Sequence, residues 1–172
     1  MAIEGPNGAG KTSLLRMLAG FLAPAEGTIR LRMNGAEIDD GEERGKFAGW
    51  LGHHDAVKPQ MRVCETLAFF ARFYQSAGSV DEAMEAVGLA RLADLPGQYL
   101  SAGQKKRFAL ARLVLANRPL WLMDEPLASL DAAGKKIAID LISTHCTQGG
   151  IAVVATHEPL GIACAKLTLG PA

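Results

Sequence analysis

The sequence has no net charge and few cysteines, and each of these features excludes some classes of protein. Its 18 basic side chains balance 18 acidic ones. There is therefore no excess positive charge that would favour nucleic-acid binding, and no acidic tail that would indicate a disordered arm. The three cysteines are scattered, one is left over in any pairing, and no CxxC or histidine-rich spacing accompanies them. We therefore expect reduced thiols in a cytoplasmic protein and no nucleic-acid partner.

Long hydrophobic runs are absent as well. The most apolar stretch, FALARLVLANRPLWLM, is interrupted by Arg112, Asn117, Arg118 and Pro119, so we do not expect it to span a bilayer. The first residues do not resemble a signal peptide, because Glu4 and a glycine-rich loop stand where an apolar core should be. If the protein works at a membrane, we expect another chain to cross it.

Alternating strand and helix signals predict an α/β fold built as a single domain over residues 1–172. Helical patterns cover 11–20, parts of 63–95, 105–115 and 132–145. Strand patterns cover MAI, a hairpin over 29–38 that turns at Asn34-Gly35, and then 47–52, 119–126, 151–156 and 166–170. We predict a mostly parallel sheet core from 1–58 and 116–172, with a helical subdomain of about 59–115 inserted into it.

The segment GPNGAGKT, Gly5–Thr12, fits the phosphate-loop pattern G-x-x-x-x-G-K-[ST] at every fixed position. It stands between a predicted strand and a predicted helix, as that pattern requires. The glycines let backbone N–H groups face phosphate oxygens, Lys11 adds a cation, and Thr12 offers a hydroxyl to Mg²⁺. The expected nucleotide-binding residues here are Gly5, Pro6, Asn7, Gly8, Ala9, Gly10, Lys11, Thr12 and Ser13.

Two carboxylates, Asp124 and Glu125, end the apolar segment LWLMDE. The carboxyl ends of strands in an open α/β sheet face the ligand crevice. Asp124 is placed to hold Mg²⁺ through its water shell, and Glu125 to polarise a water that attacks the terminal phosphate. Taken alone, such a pair could also begin a helix. The phosphate loop in the same chain favours the catalytic interpretation.

The segment LSAGQ, residues 100–104, permits two interpretations. Ser101 and Gly103 before a helix form a second anion cradle. Ser101 with Gln104 three residues later also fits an ordinary capped helix. A second cradle is most useful if it serves a nucleotide bound to a partner chain.

These motifs together resemble an ABC-type ATPase cassette. Gly5–Thr12, LSAGQ, LWLMDEP, the SLD ending at Asp131, and His157 stand in the order and spacing of that family. The resemblance implies a P-loop NTPase fold, ATP and Mg²⁺ as ligands, and a head-to-tail homodimer with two ATP molecules. Ser101, Gly103 and Gln104 would then contact the partner's nucleotide, His157 the γ-phosphate, and Asp131 the subunit boundary. Two positions depart from the usual pattern, Ala102 and Leu127.

A finer resemblance points to the CcmA-type cassettes of cytochrome c maturation. Cassettes generally have a glutamine about six residues before the proline that corresponds to Pro59, and here that count falls on His53, within GHHDAVKP. The resemblance implies permease partners of the CcmB and CcmC kind, a peripheral location at the cytoplasmic face of a bacterial inner membrane, and haem delivery for c-type cytochromes. A metal site at His53, His54 and Asp55 is the competing interpretation. We disfavour it because adjacent strand residues point to opposite faces.

Other functions remain as alternatives. The chain could serve another ABC transporter. A soluble cassette ATPase of DNA repair would need a long coiled coil between the phosphate loop and LSAGQ, where only about ninety residues without sustained heptads stand here. A kinase-like phosphoryl transferase would leave LSAGQ without a purpose.

The cassette resemblance also implies two or three strands before the phosphate loop and an aromatic side chain that stacks on adenine. Nothing before Gly5 supplies either. We therefore expect the chain to be a fragment, or Met1 not to be the natural start. Losing the stacking residue would weaken nucleotide binding by about 1–3 kcal/mol, by analogy with base–aromatic stacking in nucleic-acid complexes.

Overall fold

A five-stranded parallel sheet lies at the centre of the computed structural model, which describes residues 1–33 and 35–170. Asn34, in the predicted turn, lies outside the described residues. The strands of the sheet stand in the order β4-β5-β6-β1-β7. In chain order the elements are β1 (Ala2–Glu4), α1 (Lys11–Leu18), β2 (Leu31–Met33), β3 (Ala36–Ile38), α2 (Gly41–Phe47), β4 (Ala48–Leu51), α3 (Val63–Tyr74), α4 (Val80–Ala86), α5 (Ala102–Ala116), β5 (Leu120–Asp124), α6 (Ala132–Thr147), β6 (Ile151–Ala155) and β7 (Lys166–Thr168).

Helices cover both faces of this sheet, which confirms the predicted α/β fold. Successive residues of a strand point to opposite faces, and in β5 Leu122 packs in a cluster with Leu15 of α1. Trp121 and Met123 belong to the other cluster, which includes Phe108 of α5. All five residues of β5 are buried, as expected for a central strand of a parallel sheet.

The predicted hairpin forms a separate two-stranded antiparallel sheet of β2 and β3. Its strands have three residues each, fewer than the pattern predicted. The helix that follows, α2, was not predicted. Asp40 caps it by accepting a 2.8 Å hydrogen bond from Glu43 N, and buried Arg44 donates to the carbonyls of Ile29 and Met17, which ties the hairpin to α1.

The helical stretch after β4 consists of α3, α4 and α5, with 3₁₀ turns at Ala90–Leu92 and Gly97–Tyr99. Helix α5 begins at Ala102, three residues before the predicted start, because Ser101 caps it. It packs on α3 and α4 and also on β4 and α6. The division into core and helical subdomain therefore stays a prediction. Over residues 1–33 and 35–170, each helix is too short or too polar to traverse a lipid bilayer.

Candidate active site

A glycine-rich loop joins β1 to α1 and forms one wall of the site. The backbone passes so close to Leu169 that a Cβ at Gly5 would lie 2.6 Å from its carbonyl oxygen, which only glycine avoids. Gly10 precedes α1 with φ +89°, in the left-handed region. No side chain of the described residues caps this helix, so its first amide groups remain available to an anion.

Lys11 places a positive charge inside this loop. Its side chain is buried, and Nζ donates hydrogen bonds of 2.8 Å to Gly5 O and 3.0 Å to Pro6 O. His157 Nε2 lies 3.3 Å from the same ammonium. The histidine after β6 therefore lies beside the phosphate loop, and its contact with the γ-phosphate stays a prediction.

Thr12 and Asp124 come together at the end of the sheet. Thr12 Oγ1 donates a 2.8 Å hydrogen bond to Asp124 Oδ2, and Asp124 is 2% exposed. A hydroxyl and a buried carboxylate next to a phosphate loop fit Mg²⁺, which usually binds one or two carboxylates together with substrate phosphates. The donors present therefore match the predicted metal.

Glu125 lies at the turn after β5, opposite His157. Its backbone has φ +48°, an unusual conformation for a side chain of this size, and its N–H donates to Ala155 O at 2.9 Å. His157 Nε2 lies 3.4 Å from Glu125 Oε1. That oxygen is buried and accepts no hydrogen bond from the residues that the structure describes. An unpaired buried acceptor is suited to receive a hydrogen bond from a water or substrate.

These side chains surround one open cavity of about 270 Å³. Its lining residues, all but one of them predicted, are Asn7, Gly8, Gly10, Lys11, Thr12, Ser13, His53, Asp124, Glu125 and His157. Gly5, Pro6 and Ala9 form the loop backbone behind it, where Ala9 N donates to Pro6 O.

His53 was not among the predicted binding residues. Its Nε2 lies 3.3 Å from Asp124 Oδ2, although the side chain is 65% exposed. The strand before it, β4, pairs with β5, which ends at Asp124. A histidine at the count where cassettes have glutamine was the signal that could have identified it.

The alternative metal site at His53, His54 and Asp55 is not supported. His53 faces the cavity described above, whereas His54 and Asp55 line a different one together with Lys105. Within residues 1–33 and 35–170, no three His, Cys, Asp or Glu side chains are grouped closely enough to hold a metal.

Lys106 is a buried lysine that sequence reasoning missed. It is 7% exposed on α5. Burial lowers the pKa of Lys106, and the nearby carboxylates Asp55, Asp124 and Glu125 oppose that shift. A Lys-Lys-Arg run usually marks a solvated helix face, so no local pattern indicated this burial.

Ser101, Gly103, Gln104 and Asp131 do not line the cavity of the same chain. Ser101 and Gln104 form a capping box, in which Ser101 Oγ accepts from Gln104 N at 3.2 Å and Gln104 Oε1 accepts from Ser101 N at 2.8 Å. Asp131 caps α6 by accepting from Gly134 N at 2.8 Å. A Cβ on Gly103 would lie 2.8 Å from Ser129 O, so the two helix starts are adjacent. Their predicted contact with a partner's nucleotide stays a prediction.

Comparison with known proteins agrees with the geometry. The family model "ABC transporter" matches residues 1–128. The cytochrome c biogenesis ATP-binding export protein CcmA of Rhodopseudomonas palustris is 48% identical over all of this chain and 84% of its own length. The CcmA protein of Nitrobacter winogradskyi is 47% identical over the same shares.

Solved structures share the fold. A putative ABC transporter ATP-binding protein from Pyrococcus furiosus superposes with a TM-score of 0.83 at 25% identity, covering 98% of this chain and 82% of its own. The cassette MJ0796, solved as a dimer in a post-hydrolysis state with ADP and phosphate, gives a TM-score of 0.74 at 26% identity, covering 91% of this chain and 74% of its own.

Proposed function

The chain belongs to the ABC transporter family and, within it, to the CcmA group of cytochrome c biogenesis ATP-binding export proteins, and we propose that its cavity hydrolyses ATP to drive haem export or delivery by a membrane complex. The observation that carries this proposal is the convergence of Lys11, Thr12, Asp124, Glu125 and His157 around one cavity.

The phosphate loop binds the nucleotide in this proposal. Gly8, Gly10 and residues of the first turn of α1 line the cavity, and their amide groups would bind the negatively charged β and γ phosphates. Lys11 exchanges its two loop carbonyls for phosphate oxygens, which are stronger acceptors because they are charged. The loop therefore binds triphosphate largely through its backbone.

Thr12 and Asp124 would hold Mg²⁺. Both polar atoms already lie within 2.8 Å of one another at the cavity wall. When bound, Mg²⁺ neutralises charge on the phosphates and on the leaving group. The buried position of Asp124 keeps its carboxylate fixed in one orientation.

Glu125 and His157 act on the terminal phosphate. Glu125 Oε1, buried and without a hydrogen bond from the described residues, accepts a hydrogen bond from the attacking water and then its proton. His157, 3.3 Å from Lys11 Nζ and 3.4 Å from Glu125 Oε1, is near enough to contact the γ-phosphate and Glu125 together. Its position supports a role in orienting both.

The cavity is open on one side in a single chain, and we propose that a second copy closes it head to tail. Ser101, Gly103 and Gln104 of the partner's α5 would contact the nucleotide, and Asp131 would lie at the boundary. The cassette MJ0796 was solved as a dimer, which supports the pairing of two copies. Both helix starts are exposed at Ser101 and Asp131, where a partner could reach them.

The complex would lie at the cytoplasmic face of a bacterial inner membrane, with permease subunits of the CcmB and CcmC kind. Residues of about 59–115 would act as a helical subdomain that transmits closure of the core, 1–58 and 116–172, to those subunits. Helix α5 supports this role because it packs on α3, on α4 and on β4, the edge strand of the core sheet.

Complementation tests the proposal. A bacterium that lacks its own CcmA-type subunit should recover haem-stained c-type cytochromes when it expresses this chain, and should fail to recover them with Glu125→Gln. A chain that hydrolyses ATP and binds the membranes without restoring cytochromes would indicate another ABC transporter. A chain that stays in the soluble fraction when CcmB and CcmC are present would favour a soluble cassette ATPase.

A further inference from the structure

An ion pair joins α6 to the segment that carries His157. Lys135, in the first turn of α6, donates to Glu158, the residue after His157. Glu158 is 23 residues from Lys135 in the sequence, so the pair links two separate elements. Neither residue lines the nucleotide cavity.

The backbone on the Glu158 side of this pair is fixed. Thr156 is 2% exposed, its Oγ1 donates to Glu158 O at 3.0 Å, and it accepts from Glu158 N at 3.0 Å. This turn encloses His157, whose N–H lies 3.4 Å from Glu125 Oε2. These hydrogen bonds hold the backbone of Glu158 in a defined position directly beside His157.

The backbone on the Lys135 side is fixed to Asp131. Lys135 N donates to Asp131 O at 2.8 Å, and Gly134 N donates to Asp131 Oδ1 at 2.8 Å. There is no room for a side chain at Gly134, because a Cβ there would lie 2.9 Å from Asp131 Oδ1. Asp131 and Lys135 therefore move as one rigid turn.

We propose that Lys135 and Glu158 are positioning residues for ATP hydrolysis, which hold His157 in register with the Asp131 turn of α6. The inference rests on the proposed function, in which Asp131 lies at the subunit boundary and His157 at the γ-phosphate. Through this pair, closure of the dimer at Asp131 aligns the histidine of the same chain. Hydrolysis is then coupled to the presence of the partner.

We expect the chain to stay folded when this ion pair is removed. The side chains of Lys135 and Glu158 are 36% and 44% exposed, and ion pairs of that exposure contribute little to folding stability. A loss of hydrolysis after its removal therefore reports on positioning.

The experiment compares two neighbouring lysines of one helix. Lys135→Met and Glu158→Gln should each lower kcat by about tenfold with KM for ATP changed less than about twofold, because misplaced catalytic groups affect the chemical step more than binding. Lys136→Met is the matched control. It removes an exposed ion pair within α6, in which Lys136 Nζ lies 2.6 Å from Asp140 Oδ2, one helical turn away. This change should leave kcat unchanged.

Charge exchange supplies the second arm. The double variant Lys135→Glu with Glu158→Lys should regain most of the lost kcat, because it restores the ion pair with the positions of the two charges exchanged. Wild-type kcat in Lys135→Met, or an equal loss in Lys136→Met, would overturn the inference. A double variant no better than either single change would also overturn it.

A spectroscopic measurement separates positioning from general damage. In the ATP-bound chain labelled with ¹⁵N-histidine, the imidazole signal of His157 should shift in Lys135→Met and keep its wild-type position in Lys136→Met. An unmoved His157 signal in Lys135→Met would contradict the inference. Failure of the wild-type chain to bind ATP would instead refute the proposed function, so the two failures are distinguishable.

Discussion

Thr12 and Asp124 are 112 residues apart in the sequence, and the Thr12 hydroxyl donates a 2.8 Å hydrogen bond to Asp124 Oδ2. The phosphate loop and the acidic strand end are thus joined directly. Because both groups are suited to bind one cation, changing either of them should alter how ATP binding depends on Mg²⁺.

Asp124→Asn should weaken ATP binding in the presence of Mg²⁺ by at least about tenfold, the scale found for changes around metal ligands. Binding of ATP without metal should change little, because the phosphate loop stays intact. Thr12→Ser keeps the hydroxyl and serves as the control. Titration of a fluorescent ATP analogue with and without Mg²⁺ measures both. Equal weakening under the two conditions would count against a metal role for Asp124.

Glu125→Gln should reduce hydrolysis to background while ATP affinity stays within about threefold of wild type, since only proton acceptance is lost. The amide preserves the size of the side chain at a strained backbone position, φ +48°. Glu85→Gln, which removes an exposed carboxylate on α4, is the control and should leave hydrolysis unchanged. Phosphate release and nucleotide binding are the two measurements, and undiminished phosphate release would remove Glu125 from the role of base.

The fold was largely predictable because its signals are local. Buried runs such as LWLMD and AVVA, a glycine-rich loop and capped helices each specify a short segment, and their alternation defines the α/β class. Helix α2 escaped prediction because it has seven residues and includes Gly41 and Gly45. Its buried Arg44 donates to the carbonyls of Ile29 and Met17, which are distant in the sequence, and a local pattern does not reveal such contacts.

The site was predictable where a motif specifies it. Lys11, Thr12, Asp124 and Glu125 follow from the phosphate loop and from a strand end. His53 and Lys106 lie near Asp124 for a different reason. Their positions depend on β4 pairing with β5 and on α5 packing over the sheet, and neither arrangement is encoded in a short stretch of sequence.

His53 should influence which divalent cation supports nucleotide binding. Its Nε2 is 3.3 Å from Asp124 Oδ2, and imidazole nitrogen favours transition metals, whereas Mg²⁺ prefers oxygen. His53→Gln should lower the ratio of Mn²⁺ to Mg²⁺ affinity in the ATP complex by up to about tenfold.

The neighbouring histidine provides the control for that change. His54→Gln should leave the ratio unaltered, since His54 lines a different cavity. Electron paramagnetic resonance of Mn²⁺ measures the affinity directly. The same ratio in both variants and in the wild type would exclude His53 from the metal environment.

Ser101→Arg should abolish hydrolysis while each chain still binds one ATP, because a long cation at the start of α5 would block the partner's nucleotide. The substitution also removes a helix cap, which costs about 1 kcal/mol. Ser79→Arg removes the equivalent cap of α4, where Ser79 Oγ accepts from Glu82 N, and should preserve turnover. Normal turnover in Ser101→Arg would refute the shared site.

His145 gives the protein a pH-dependent stability that is independent of the nucleotide site. Its ring stacks on Trp121 with centroids 4.0 Å apart and planes 5° from parallel. Nε2 is buried and has no hydrogen-bond partner among the described residues. Burial lowers the pKa of His145 below its ordinary value of 6.5, and the backbone of Ile151 and Pro119 opposes that shift.

Because the folded pKa of His145 is depressed, the unfolded chain takes up this proton first as the pH falls. The free energy of unfolding should therefore decrease as the pH drops below 6.5. His145 contributes to the slope because the unfolded state binds up to one more proton at this residue than the folded state does. His145→Phe keeps an aromatic ring on Trp121 and removes the titration, so its urea unfolding midpoint should vary less between about pH 7 and 5. His54→Gln, at an exposed loop position, should retain the wild-type dependence. A His145→Phe variant that loses stability with acid as steeply as the wild type would show that other groups produce the effect.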